Sequence, residues 1–151
     1  MNYKFSQKPF WKAKSLHEMS KKEWESLCCR CGICCLNRYH DRKSCKVYFT
    51  RIVCRFLDTD TCNCSIYENR FQISSDDCEK ITPDNILKLR WLPSTCGYRT
   101  LAEGRDLEWW HPLISGDFNT VHQARVSILV EDIVSEDDMV VLDLLRRKSS
   151  I

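Results

Sequence analysis

The sequence predicts an α+β fold: a small, mainly helical single domain with short strands, wrapped around an irregular, cysteine-rich, metal-binding core. Three observations lead there. Five of the eleven cysteines crowd into Leu27-Cys28-Cys29-Arg30-Cys31-Gly32-Ile33-Cys34-Cys35-Leu36, a density reduced thiols have little reason to adopt unless a soft cation holds them. The helix-start signals are followed by short periodic stretches, while runs of β-branched and aromatic residues are few. At 151 residues, 43% of them hydrophobic, the chain can bury about 70% of its unfolded surface, so metal would support a fold that also has an apolar core.

Pro9-Phe10-Trp11 suits the first turn of a short helix, where the missing proline N–H is not needed. Ser20-Lys21-Lys22-Glu23 has the capping-box pattern, and Trp24, Leu27, Cys28 and Cys31 then fall at helical spacing. If that helix passes Gly32, Cys28, Cys31 and Cys35 share a face; otherwise Gly32 ends it and turns the last pair back. Asn37 to Lys46 reads as a polar connection, and Val47 to Cys54 as a strand. Asp58-Thr59-Asp60-Thr61 is turn chemistry leading into Cys62-Asn63-Cys64, whose thiols would share one side of an extended backbone. Ser65-Ile66-Tyr67-Glu68 is a second capping-box candidate for a helix through Arg70, and Ser74 to Asp77 is a loop before Cys78.

Thr82-Pro83-Asp84-Asn85 predicts a helix over Asn85–Arg90, stopped at Leu92-Pro93. Cys96 to Glu103 predicts another, with Gly104 closing it in a left-handed turn. Pro112 stiffens the apolar Trp109–Leu113 stretch, and Ser115-Gly116 turns. In the tail, Val126 to Val130 reads as a strand, and Ser135-Glu136-Asp137-Asp138 opens a helix carrying Met139, Val140, Leu142 and Leu145 and ending in Arg146-Arg147-Lys148, acids first and bases last. No linker divides the chain, so residues 1–151 are read as one domain with a core over 9–122 and a strand–helix tail over 123–151.

Composition excludes several functions. The 23 basic residues against 21 acidic ones leave a net charge of +2, far from a nucleic-acid module, and the two signs are interspersed as on a solvated surface. No apolar run reaches the roughly 18 residues of a membrane span, so no membrane association is expected. Met1 to Pro9 lacks the apolar segment of a secretory signal, which points to the cytoplasm. In that reducing compartment clustered cysteines indicate metal or redox chemistry in preference to disulfides, and eleven is an odd count.

Thiolates bind zinc tetrahedrally or anchor iron–sulfur clusters. Cys28-x-x-Cys31-x-x-Cys34 repeats the spacing of bacterial iron–sulfur runs, yet Cys35 follows at once and no Cys-Pro appears. Zinc on Cys28-x-x-Cys31 with Cys62-x-Cys64 fits about as well, so spacing does not choose the metal. Cys54, Cys62 and Cys64 are further ligand candidates; Cys78 and Cys96 stand alone and compete with a role as small buried hydrophobes, and Cys29 and Cys45 read as bystanders. His111 in its aromatic stretch reads as a hydrogen-bonded core residue, Trp109 and Trp110 as core, Asp106 and Glu108 as surface, and Arg38, Arg42 and Lys43 as a solvated loop. His17, His40 and His122 have little to mark them as ligands. There is no phosphate loop, nucleophile elbow or paired carboxylate in a catalytic frame.

Cys28-x-x-Cys31-Gly32-x-Cys34-Cys35-Leu36, Val53-Cys54, Thr61-Cys62-x-Cys64-x-x-Tyr67-Glu68-x-Arg70, Asp77-Cys78, Trp91-Leu92-Pro93-x-Thr95-Cys96-x-Tyr98-Arg99 and Trp110-His111-Pro112-Leu113-x-Ser115-Gly116 occur in that order. Together they closely resemble the bacterial CxxCxxCC cysteine-cluster family, in particular its YcgN-like branch. Pro9-Phe10-Trp11 and Glu23-Trp24-Glu25-x-Leu27-Cys28 resemble the beginning of that branch, and the likeness runs from about residue 9 to residue 122. The resemblance implies chelation of zinc or iron, with the ligand pattern falling on Cys28, Cys31, Cys34, Cys35, Cys54, Cys62, Cys64, Cys78 and Cys96. Related cysteine clusters occur in a bacterial flagellin lysine methylase.

The leading expectation is therefore a metal-binding protein holding iron, as an iron–sulfur cluster, or else zinc, with a protein partner possible. The alternatives are a metal-dependent redox or methyl-transfer enzyme, or an enzyme's accessory protein, and a structural zinc module that docks on a partner.

Overall fold

The β2 strand, Val47–Val53, organises the sheet, because its β-branched and aromatic residues suit a half-buried pleated surface. The computed structural model describes residues 7–74, 78–130, 132–138 and 146–148. β2 pairs antiparallel with β1, Leu36–His40, with Leu36 opposite Val53 and His40 opposite Val47. The stretch from Asn37 thus starts as a strand and not as a polar connection. Its register shifts between Leu36 and Arg38, where the Thr50 hydroxyl donates to the Asn37 carbonyl at 2.9 Å and accepts from the Ile52 N–H at 3.1 Å. The short β3, Val134–Ser135, runs parallel to the end of β2, and β4, Arg146–Lys148, pairs antiparallel with Tyr48 to Thr50. Arg146 to Lys148, expected to end a helix, are therefore a strand; the expected helix over Met139 to Leu145 lies outside the described residues.

Six short α-helices occur among the described residues: α1 Phe10–Ala13, α2 Lys21–Glu25, α3 Arg70–Ile73, α4 Gly97–Ala102, α5 Pro112–Ser115 and α6 Asn119–Gln123. The Ser20 box forms as its sequence predicts, with the hydroxyl accepting from Glu23 N–H and the Glu23 carboxylate from Ser20 N–H. Ser20→Ala is expected to cost about 1 kcal/mol in chemical denaturation, with no change in fold.

α2 stops at Glu25, however, and does not reach the cysteines. Arg30 has a left-handed φ of 59° and Gly32 one of 77°, so the chain turns twice before the 3₁₀ turn Ile33–Cys35. The shared helical face for Cys28, Cys31 and Cys35 is thereby excluded.

Other expectations are corrected in the same direction, toward tighter turns. Ser65 does not cap: its hydroxyl donates to the Phe56 carbonyl, and a 3₁₀ turn Tyr67–Asn69 leads into α3. Asn85 to Arg90 is reduced to a 3₁₀ turn over Ile86–Lys88, and Ile128–Val130 is a 3₁₀ turn and not a strand. α4 and the left-handed Gly104 agree with their signals, as do the Pro112 start and the left-handed Gly116 of α5. α6 carries no sequence signal strong enough to have been expected.

The core draws on the whole chain. Leu27, Val53, Ile86, Leu92 and Ile128 are almost completely buried, with Phe49, Trp91 and Tyr98 against them. Trp24 packs on Tyr98 at 4.7 Å between ring centres. A smaller cluster joins Cys29, Trp110 and Val121. Trp109, expected in the core, is 61% exposed, while Trp110 is buried: the two lie in the turn that the His111 N–H closes onto the Glu108 carbonyl. No helix among the described residues is long and apolar enough to cross a membrane.

Candidate metal centre

All eleven cysteines lie among the described residues and are free thiols. Five of them, Cys34, Cys35, Cys54, Cys64 and Cys78, line one cavity of about 470 Å³. The β1–β2 hairpin does much of the positioning. Cys35 immediately precedes β1 and Cys54 immediately follows β2, and the Cys54 N–H donates to the Cys35 carbonyl at 2.9 Å. Cys34 reaches the cavity from the 3₁₀ turn that Gly32 starts.

Cys64 is delivered by a tight loop. The Asp58 carboxylate accepts from the Asp60 and Thr61 N–H groups, the Cys62 N–H closes onto the Asp58 carbonyl, and Cys64 bridges back to Leu57. Cys62 sits at a φ of 58°, which is not extended, so the expectation that Cys62 and Cys64 project together is corrected. Cys64 lines the cavity, while Cys62 is buried and its Sγ lies 3.9 Å from the Cys31 carbonyl. Cys78 follows α3, its N–H donating to the Ser74 carbonyl.

Cys28, Cys31 and Cys96 do not line the cavity: Cys28 and Cys96 pack with the main core, and Cys31 packs against Cys29, Trp110 and Val121. Burial pushes the Cys28 thiol well up, and the nearby Cys34 thiolate adds to the shift. Cys31 is hydrogen-bonded to the Cys29 thiol, which with burial keeps it protonated. Burial likewise raises Cys62 and Cys96 to about 12 and pushes Cys78 upward. Cys34 moves the other way, to about 7, through a hydrogen bond from Cys35 and the charges of Arg38 and Arg70; Cys35 is correspondingly raised. Of the Cys34–Cys35 pair, Cys34 is thus the thiol that gives up its proton more readily. Cys45 is exposed at the hairpin turn, away from the cavity.

Two cations complete the lining. Arg70 is held by the Tyr67 carbonyl at 2.5 Å and the Glu25 carboxylate at 3.2 Å, its guanidinium over the Tyr67 ring. Glu25 also accepts from the Tyr67 hydroxyl. Arg38 was expected in a solvated loop with Arg42 and Lys43, which are exposed. Its side chain is instead only 18% exposed, stacked 3.6 Å from the Trp91 ring centre. Nothing local in the sequence marks that contact, since Trp91 is 53 positions away. His40, Glu79 and Glu136 line the cavity too.

His111 has the core role its context suggests. It is 1% exposed, with Nε2 donating to the Leu27 carbonyl at 3.0 Å and Nδ1 accepting from Leu113 N–H at 3.1 Å. His17 faces Asp84 and His122 faces Ser127. Among the described residues no three His, Cys, Asp or Glu side chains gather closely enough to hold one metal ion. The thiols form a wall around a space and not a ready-made tetrahedron. The five sulfurs that line one cavity are nonetheless a donor set whose chemistry suits a soft metal.

No protein-family model matches the chain, and no solved structure matches it. Sequence relatives are close. The chain is 53% identical over 135 residues to a UPF0260 protein of Rhodopseudomonas palustris (strain HaA2), covering 89% of this chain and 79% of the relative. It is 56% identical over 119 residues to a UPF0260 protein of Nitrobacter hamburgensis, covering 79% and 69%. A UPF0260 protein of Marinobacter nauticus is 52% identical over 137 residues, covering 88% and 92%.

Proposed function

Since the chain belongs to the UPF0260 family of bacterial proteins, we propose that it is a member built on the CxxCxxCC cysteine cluster of the YcgN-like branch, and that its cavity thiols chelate a polynuclear iron–sulfur centre, with zinc as the alternative metal. One observation carries the reading: five thiols from four chain segments line a single space with no three of them gathered at one point. A cluster, whose ligands bind separate metal atoms, suits such a wall better than a lone tetrahedral ion does. Cys34, Cys35, Cys54, Cys64 and Cys78 are the ligand candidates in the cavity, while Cys28, Cys62 and Cys96 pack into the main core and Cys31 into the Trp110 cluster. When bound, the centre would supply electron transfer or Lewis acidity; the protein's own residues hold it, screen it and balance its charge.

Anaerobic purification followed by iron, zinc and acid-labile sulfide analysis tests the proposal. The expected product is brown and carries iron with sulfide. Cys→Ala changes at four of the five cavity positions are expected to remove it, while Cys45→Ala leaves it intact. A colourless protein with stoichiometric zinc would reject iron, and one that loads neither metal after reconstitution would reject chelation altogether.

One observation favours a second reading, a redox or group-transfer enzyme. Five candidate thiols exceed four ligands, and the exposed Cys34 has the lowered pKa of a reactive cysteine. In that case Cys34→Ala keeps its metal and loses rapid alkylation by iodoacetamide. Loss of metal at Cys34 excludes the spare-thiol role.

A further inference from the structure

The loop between β1 and β2 gathers charge of one sign. Arg42, Lys43 and Lys46 are all exposed there, and none of their side chains enters an ion pair among the described residues. Asp41, the acid beside them, is engaged by the loop itself. Its carboxylate accepts from the Lys43 N–H at 3.0 Å and from the Ser44 hydroxyl at 2.6 Å, and its N–H donates to the Lys46 carbonyl at 2.9 Å. The three cations therefore stand on a tied turn.

β4 brings more basic residues to the same end of β2, setting Lys148 opposite Tyr48, Arg147 opposite Phe49 and Arg146 opposite Thr50. The whole-chain charge of +2 averages over this excess, because acids that balance it lie elsewhere. Asp132 and Glu136 answer Arg51 and Arg55 toward and beyond the far end of β2, and Glu79 faces Arg38. At the foot of the loop Tyr39 and Tyr48, opposite each other in the β1–β2 register, stack with ring centres 5.1 Å apart and planes 15° from parallel. Both are half-buried, so part of each ring reaches the surface.

We propose that this hairpin tip binds a single-stranded nucleic acid, the loop cations holding its phosphates and a base stacking on the tyrosine pair. Phosphates supply the repeated negative charge that unpaired cations complement, and a nucleobase is the flat group that extends an offset ring stack. A duplex keeps its bases stacked on one another and offers the tyrosines none. An anionic membrane matches the charge too, but stable anchoring there calls for an apolar face. The large hydrophobic side chains exposed among the described residues, Ile73, Leu87, Trp109, Ile114 and Phe118, all lie outside the hairpin. The proposal is independent of what the cysteine cavity holds.

Fluorescence anisotropy tests it on the full chain, with labelled oligouridylate and oligodeoxythymidylate of about 12 nucleotides and a duplex of equal length. Wild type is expected to bind the single strands, the ribose and deoxyribose arms telling which it prefers, and to bind the duplex roughly tenfold more weakly. The combined Arg42→Ala, Lys43→Ala and Lys46→Ala changes should lower affinity at least about tenfold and flatten the slope of log affinity against log salt by about 2, three phosphate contacts at roughly 0.7 each. Tyr48→Leu should weaken binding roughly tenfold at an unchanged salt slope. The combined Lys21→Ala, Lys22→Ala and Lys88→Ala changes remove as much charge from exposed positions outside the hairpin and should leave binding as in wild type.

A wild type that binds neither single strand at about 50 mM salt overturns the proposal, as does an equal loss in the Lys21, Lys22 and Lys88 variant. A duplex bound as tightly as the single strands, or wild-type affinity in Tyr48→Leu, overturns the stacking and with it the assignment to single strands. Binding to vesicles of mixed neutral and anionic phospholipid with none to oligonucleotides gives the surface to a membrane and rejects the proposal. Should Tyr48→Leu fail to fold, the exposed loop variant carries the test, and wild-type affinity in it overturns the proposal.

Discussion

Gly97→Ala is expected to destabilise the protein by about 3 kcal/mol, more than a single methyl group ordinarily costs even in a packed interior. The cause is a close approach and not a special torsion angle. A Cβ on Gly97 would stand 2.2 Å from the Leu27 carbonyl oxygen and 2.8 Å from His111 Nε2. Those two atoms are hydrogen-bonded to each other, so the methyl group would fall on a backbone oxygen and on the side chain that satisfies it. Neither is the free end of a flexible chain that could swing away. Leu27 is itself completely buried and leads directly into Cys28, so the strain would reach the cysteine segment. Gly104→Ala is the comparison: its φ is +73°, but a Cβ there meets nothing within 4 Å, and only the left-handed backbone cost of roughly 1–2 kcal/mol applies. Urea midpoints of the two variants measure the difference, and a Gly97 variant no worse than the Gly104 one would show that the three segments do not pack as described.

His111→Leu is expected to cost about 2–4 kcal/mol, because it strands the Leu27 carbonyl and the Leu113 amide, each buried polar group costing roughly 1–3 kcal/mol when unpaired. Only the tautomer with its proton on Nε2 serves both partners. Burial lowers the His111 pKa from its ordinary 6.5, the hydrogen bond to Leu27 opposing this in part. The sign follows from linkage. Below about pH 6.5 the unfolded histidine takes up a proton that the native one resists, so the stability present above that pH is lost as pH falls through the native value. Denaturation at about pH 7.5 and pH 5.5 should therefore show the gap between wild type and His111→Leu narrowing in acid. Titrating thiols such as Cys34 are common to both proteins and cancel in the comparison. A gap that stays constant would mean that His111 is not held neutral.

The location of the wild-type contacts explains why part of the site was legible in the chain and part was not. Cysteine density between Cys28 and Cys35 marks a sulfur-rich stretch without any structure, since spacing along the chain is enough. Which cysteines face the cavity depends on left-handed torsions at Arg30, Gly32 and Cys62, and two of those three residues carry side chains that do not announce such a turn. With α2 already ended at Glu25, the turns at Arg30 and Gly32 keep Cys28, Cys31 and Cys35 off a common helical face. Arg38 and Arg70 were invisible as a pair because the hairpin bulge and the Trp91 and Tyr67 rings bring them to the cavity, and those contacts are matters of packing.

By itself the sequence determined the capping box at Ser20, the strand at Val47, the turns at Asp58, Gly104 and Gly116, and the structural role of His111, each a local preference or a nearest-neighbour constraint. Tertiary structure alone decided where the chain turns between Glu25 and Leu36, that Asn37 to His40 is a strand, and which five thiols share a space with Arg38. Those choices rest on contacts between residues far apart in the chain, where burial of Leu27, Val53 and Ile128 outweighs the fractions of a kcal/mol that local propensity supplies.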